Sequence, residues 1–227
     1  MRLFHGVVFV ILMCLPVASN AGQHLFIMDG QSNMFNVKPE IIFTPAMKAY
    51  YGDDNVVVVH NAGIGRAIRY WDEGGEMWLI LTNKITTAVR GKTIDSVTFI
   101  FYQGEQDACE PNPASYESKL QSLFERMQSL FPNVRMNYVV TRLNDYNANE
   151  FIQALGQVTI RRIQEKICLN KGNYRMVDTD DLNGFANILH NYDYETLQKR
   201  YVDAVISMNP KRVEMPGVMY LLRKKRN

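Results

Sequence analysis

The sequence predicts an α/β fold, a single domain whose doubly wound, mainly parallel five-stranded sheet is flanked by helices. Three observations carry this expectation. Five short, nearly continuous apolar runs recur along the chain, rich in β-branched and aromatic residues as strands buried on both faces tend to be. Longer stretches with helical spacing separate them, and such alternation builds a parallel sheet. Finally, 227 residues, 47% of them hydrophobic and 21% charged, suffice for one full-sized core but not comfortably for two.

The elements follow in order. Residues 1–21 read as an export signal: Arg2, the apolar run Val7–Leu15, then Pro16 and small residues with a cleavage point after Ala21 or Ser19. That run is too short to span a bilayer, which needs about 20 apolar residues. No later segment reads as a membrane anchor. The domain proper is expected over residues 22–208. Its strands are read at Leu25–Met28, Val56–His60, Val97–Tyr102, Met136–Val140 and Tyr174–Val177. Its helices are read at Met77–Val89, Ala114–Phe131, Phe151–Leu169 and Tyr192–Met208. In the second helix Tyr116, Leu120, Leu123, Met127 and Leu130 form one apolar stripe. Asn112-Pro113 suits its start and Pro132 stops it. Residues 209–227 form a basic tail.

A net charge of +2 gives no case for a nucleic-acid partner, because the excess of Lys and Arg sits mainly in Arg223–Arg226. Once the signal is removed, Cys109 and Cys168 remain, and an exported pair could form one disulfide. Neither lies in a zinc-binding pattern.

In parallel sheets, ligands bind beyond the carboxyl ends of the strands. The loops there have unusual compositions. Asp29-Gly30-Gln31-Ser32-Asn33-Met34 follows the first strand and can hold a hydroxyl in the open, although Gly, Ser and Asn also make ordinary turns. Asn61–Trp71 contains Gly63 and Gly65, whose backbone N–H groups could approach an oxyanion. Tyr102-Gln103-Gly104-Glu105 sets an amide and a carboxylate on either side of a glycine. Asn187-Ile188-Leu189-His190 precedes the last helix. His60 is a second candidate imidazole, with a packed or hydrogen-bonding role as the alternative; His24 is expected to be exposed.

Taken together, GQSNM, the glycine loop leading to a tryptophan, YQGE, and LH before a C-terminal helix resemble the SGNH hydrolase superfamily. More narrowly, they resemble its sialate O-acetylesterase-like branch, related to carbohydrate esterase family six, from about Leu25 to Ala204. The resemblance implies an exported serine esterase that removes acetyl groups from a carbohydrate through an acetyl-enzyme. It implies Ser32 as nucleophile and His190 as general base. It also implies an oxyanion site formed by the Ser32 backbone N–H, Gly65 and Gln103, with no metal or organic cofactor. Gln31, Asn33 and Arg66 are possible substrate contacts. For Arg66 and Arg69, a salt bridge to Asp72, Glu73 or Glu76 is the alternative to binding a sugar carboxylate. Trp71 and Trp78 could stack on sugar rings or pack in the core, and Tyr146, Tyr192 and Tyr194 share that ambiguity.

The chain departs from the family at Asn187, where relatives commonly carry Asp. An amide cannot supply the charge that stabilises an imidazolium. Glu105 is the first candidate for the missing acid, with Asp180 and Asp181 as alternatives; a structural hydrogen bond or ion pair is the other reading of Glu105. A non-catalytic carbohydrate-binding relative and a hydrolase of other acyl esters are the rival functions.

Overall fold

The computed structural model describes residues 22–145, 151–182, 190–191 and 193–209. The expected signal, the basic tail past Asn209, Asn187, Tyr146 and Tyr192 lie outside them. In chain order the main elements are β1 (Gln23–Gly30), α1 (Ser32–Phe35), α2 (Phe43–Tyr51), β2 (Val56–His60), α3 (Glu76–Val89) and β3 (Ile94–Tyr102). Then come α4 (Glu105–Ala108), α5 (Tyr116–Leu130), β4 (Arg135–Thr141), α6 (Phe151–Cys168), β5 (Tyr174–Val177) and α7 (Tyr194–Met208). Single 3₁₀ turns fill several connections.

The five strands form one all-parallel sheet in the order β2-β1-β3-β4-β5. The register sets Ile27 of β1 beside Val59 of β2 and Phe99 of β3. Every residue from Leu25 to Gly30 is buried, which is why the run shows no polar alternation. Helices cover both faces. On one, Phe26 meets Phe43 of α2 edge-on at 5.4 Å, and Thr141 of β4 bonds Tyr201 of α7. On the other, Phe99, Phe101 and Tyr138 pack around Phe124 of α5. Apolar burial on both faces, at roughly 25 cal/mol per Å², is the main stabilising term of such a layered core.

All five expected strands are present, and two of them have the expected bounds. In α5 the stripe differs at one end: Phe124 is buried, whereas Leu130 is 41% exposed on the last turn. Pro113 begins a 3₁₀ turn before α5, but the Asn112 side chain makes no cap bond. The last helix begins later than expected because the Asp193 carboxylate caps the Thr196 N–H at 2.8 Å. His24, expected to be exposed, is half-buried in β1, where its Nδ1 lies 2.7 Å from Ser96 Oγ. Neither Cys109 nor Cys168 takes part in a disulfide, so the expected pairing is not made.

The connections that matter leave the carboxyl ends of the strands. At the first, β1 and β3 approach so closely that a Cβ on Gly30 would lie 1.9 Å from the Tyr102 carbonyl oxygen, so no larger residue fits. That oxygen accepts the Gln31 N–H at 3.0 Å, which ties the serine loop to the end of β3.

Candidate active site

Ser32 is the first residue of α1, directly past the end of β1, and is half-buried. His190 Nε2 lies 2.9 Å from its Oγ, although the two residues are 158 positions apart. This brings together the two side chains expected to act as nucleophile and base. An imidazole at hydrogen-bond distance can take a hydroxyl proton as the oxygen attacks.

The supports of this pair lie one residue further along each segment. Asn33 is fully buried, and its Oδ1 accepts the Asn191 backbone N–H at 2.9 Å and the Tyr194 hydroxyl at 3.0 Å. The Nδ2 of Asn33 donates to Glu105 Oε1 at 2.5 Å. Asn191 is itself clamped: Nδ2 donates to the Tyr102 hydroxyl at 3.0 Å, and Oδ1 accepts from Asn144 at 3.3 Å. Glu105 is buried at the first position of α4. Burial pushes its carboxyl up to about 7, against the pull of the Asn33 hydrogen bond.

Beneath the serine loop sits a second buried acid. Asp29 accepts from Trp71 Nε1 at 2.6 Å, from Asn61 Nδ2 at 3.0 Å and from the Gly30 N–H at 2.8 Å. Complete burial still raises it to about 7. A third, Asp107, holds the Ile68 N–H and Gln103 Nε2, and burial raises it to about 6. Asp29 and Asp107 fall within the segments singled out from the sequence but have no role assigned there, and Asn191 falls outside those segments. Asp29 had a visible signal, being an acid at the end of a run otherwise suited to complete burial.

Several residues given site roles from the sequence make other contacts. Glu105 bonds Asn33, not His190, and its Oε2 is buried without a hydrogen-bond partner. Both oxygens of Asp180 are taken by Arg142 and Arg161, and Asp181 is paired with Arg200, so guanidinium pairing claims both alternative acids. Gln103 is fully buried, and its Nε2 faces Asp107 Oδ2 at 2.5 Å, the Arg66 carbonyl at 3.1 Å and Gln31 Oε1 at 3.2 Å. Two N–H hydrogens facing three acceptors leave none for an oxyanion. Gln31 is buried, and its Oε1 also accepts the Gly104 and Gln106 N–H groups at 3.4 and 3.3 Å; like Asn33, it braces the site and does not line it.

Arg66 pairs with Glu76 at 3.2 Å and lies over the Tyr70 ring, and Arg69 pairs with Glu110 at 2.9 Å. Trp71 and Trp78 are core residues. His60 Nε2 donates to the Met34 carbonyl at 3.0 Å, so it fastens α1 to the end of β2, and burial lowers its pKa. Gly65 alone of the oxyanion set is exposed, in a left-handed turn at φ 65° with open space around it.

Comparison with known proteins gives the family. The model of the family described as carbohydrate esterase, sialic acid-specific acetylesterase matches residues 35–207, starting just past Ser32. No curated protein sequence matches the chain at a significant level. Among solved structures, a protein from Arabidopsis thaliana is similar with a TM-score of 0.62 at 16% identity, covering 82% of this chain and 98% of its own. An acetylxylan esterase from Geobacillus stearothermophilus, solved as a catalytic mutant, gives 0.53 at 13%, covering 86% and 98%. A lipase/acylhydrolase from Enterococcus faecalis gives 0.52 at 15%, covering 82% and 95%. At these identities the structures share the SGNH-type fold, whereas the family match spans most of the sequence. The chain therefore belongs to the carbohydrate esterase, sialic acid-specific acetylesterase family, a group of SGNH-type carboxylic ester hydrolases.

Proposed function

We propose that the protein is an exported serine esterase that removes O-acetyl groups from a carbohydrate, either a sialic acid or a plant or bacterial polysaccharide. The observation that carries this reading is the 2.9 Å contact between Ser32 Oγ and His190 Nε2 beyond the carboxyl end of β1. Ser32 Oγ attacks the acetyl carbonyl while His190 Nε2 takes its proton. The carbonyl oxygen, now negative, is held by the backbone N–H of Ser32, at the unpaired start of a helix, and by that of Gly65. As the tetrahedral species collapses, His190 returns the proton to the departing sugar oxygen. This leaves acetate esterified to Ser32. Water, deprotonated by His190, then attacks the acetyl-enzyme, and acetic acid and free serine result.

The test is hydrolysis of 4-nitrophenyl acetate, followed by acetate release from O-acetylated sialic acid and from acetylated xylan. Ser32→Ala and His190→Ala are expected to bring the rate down by about 10⁴-fold or more, towards background. Equal rates in wild type and Ser32→Ala would overturn the assignment. A series of 4-nitrophenyl esters should favour acetyl; a preference for chains longer than about four carbons would instead place the enzyme among lipid acyl hydrolases.

A further inference from the structure

We infer that Glu105 is a positioning residue, which aligns the Ser32–His190 pair through the side chain of Asn33 and does not serve as the acid behind the histidine. This rests on reading Ser32 and His190 as the catalytic pair. Two parallel contacts join the segments concerned: Ser32 Oγ to His190 Nε2 at 2.9 Å, and, one residue on in each, Asn33 Oδ1 to the Asn191 N–H at 2.9 Å. The second contact fixes the spacing of the first, because each reacting side chain is carried on a backbone adjacent to it. That second contact needs the Asn33 amide in one orientation only. Turned over, its NH₂ would face the Asn191 N–H, donor against donor, and its oxygen would face the Glu105 carboxylate.

Glu105 selects the working orientation by accepting from Nδ2 at 2.5 Å. Two features suit it to this. It is buried, so the hydrogen bond does not compete with water, and a buried donor left unpaired is costly. Its other oxygen, Oε2, is buried with no hydrogen-bond partner, so a proton placed there leaves Oε1 free to accept. The function of the group is therefore as an acceptor at one atom, not as a charge beside the imidazole. The Tyr194 hydroxyl, also on Asn33 Oδ1, brings the start of α7 into the same arrangement.

The two roles differ in what an amide at position 105 does. A positioning acceptor is preserved in Glu105→Gln, whose carbonyl oxygen can still take the Asn33 N–H. A triad carboxylate changed to an amide loses about 10⁴-fold in kcat in well-studied serine hydrolases. The expected result with 4-nitrophenyl acetate is a Glu105→Gln kcat within about tenfold of wild type and a nearly unchanged KM. In Glu105→Leu, kcat should fall by about 100-fold, the cost of misplacing reacting groups by about 1 Å. Circular dichroism and thermal melts establish that each variant is folded.

Should Glu105→Gln not fold, the double variant Asn33→Asp/Glu105→Gln decides. There the new carboxylate accepts from the Asn191 N–H and Tyr194, the new amide donates to it, and the contact survives with its direction reversed. Recovery of kcat to within about tenfold of wild type supports positioning. A folded Glu105→Gln, or a folded double variant, that loses about 10⁴-fold overturns the inference in favour of a charged acid. A Glu105→Leu enzyme with wild-type kcat overturns it as well. If Ser32→Ala is fully active, it is the catalytic pair that has been misread, which keeps the two failures apart.

Discussion

At the scale of single residues, three acids behind the serine loop titrate far above their ordinary range because burial outweighs the hydrogen bonds they accept. Asp29 and Glu105 are raised to about 7 and Asp107 to about 6. Glu105 has Asp107 as a charged neighbour, and the tyrosines at 102, 116, 194 and 201 sense its charge. A pKa higher in the folded chain than in the unfolded one, where glutamate titrates near about 4.3, means that the folded state holds the proton more tightly. Its stabilising contribution is complete below about pH 4 and is lost as the pH rises through about 7. Glu105→Gln cannot lose a proton. Its unfolding free energy from urea titration, relative to wild type, should therefore rise between about pH 4 and about pH 7 and then level, with a slope of up to about 1.4 kcal/mol per pH unit. A difference that stays constant with pH would mean that Glu105 titrates normally in the fold. Ser32 and His190 were legible in the sequence because polar residues bunched at strand ends have no use in a core. Their partners were not. Whether Gln103 meets an oxyanion or Asp107, and whether Glu105 meets an imidazole or Asn33, depends on how α4 packs against the ends of β1 and β3.

At the scale of elements, the strands were the easiest part to read, since burial on both faces leaves a continuous apolar run. Element ends and short helices were harder: α1 and α4 are single turns that mix polar and apolar residues and take their shape from the strand ends they follow. In α5, Phe124 replaces Leu130 in the buried stripe because the aromatic cluster on β3 and β4 reaches the middle of the helix and not its last turn. The placement of α4 depends on a contact with no visible signal in the residue pattern. A Cβ on Gly156 of α6 would lie 1.9 Å from the Ala108 carbonyl oxygen, so α6 rests directly on the backbone of the helix that carries Glu105. Gly156→Ala should push these helices apart at a cost of about 1–3 kcal/mol. For a domain of this size that lowers Tm by about 2–4 °C per kcal/mol. A loss of kcat should accompany it, because Glu105 moves with α4; an unchanged Tm would mean that the two helices can part without strain.

At the scale of the whole molecule, stability comes from layers packed on a parallel sheet, with no covalent bridge among the described residues. Cys109 and Cys168 were open to pairing on sequence grounds, yet neither forms a disulfide. Burial also raises the Cys168 thiol to about 11, which disfavours its reactive thiolate form. A reducing agent should accordingly leave Tm unchanged, and thiol titration of the unfolded chain from residue 22 onward should find both cysteines reduced; a drop in Tm on reduction would reveal a bridge. The chain also has a built-in order of events. Ser32 arrives early in synthesis and His190 late, and the bonds joining Asn33 to Asn191 and Tyr194 span 158 and 161 residues. Contacts of such sequence separation form late in folding, after shorter loops have closed. During synthesis, then, the serine emerges as an ordinary hydroxyl, and it meets the His190 imidazole only when the final helix docks. Recovered esterase activity would thus time the last step of refolding, whereas a signal from the sheet core would report earlier ones.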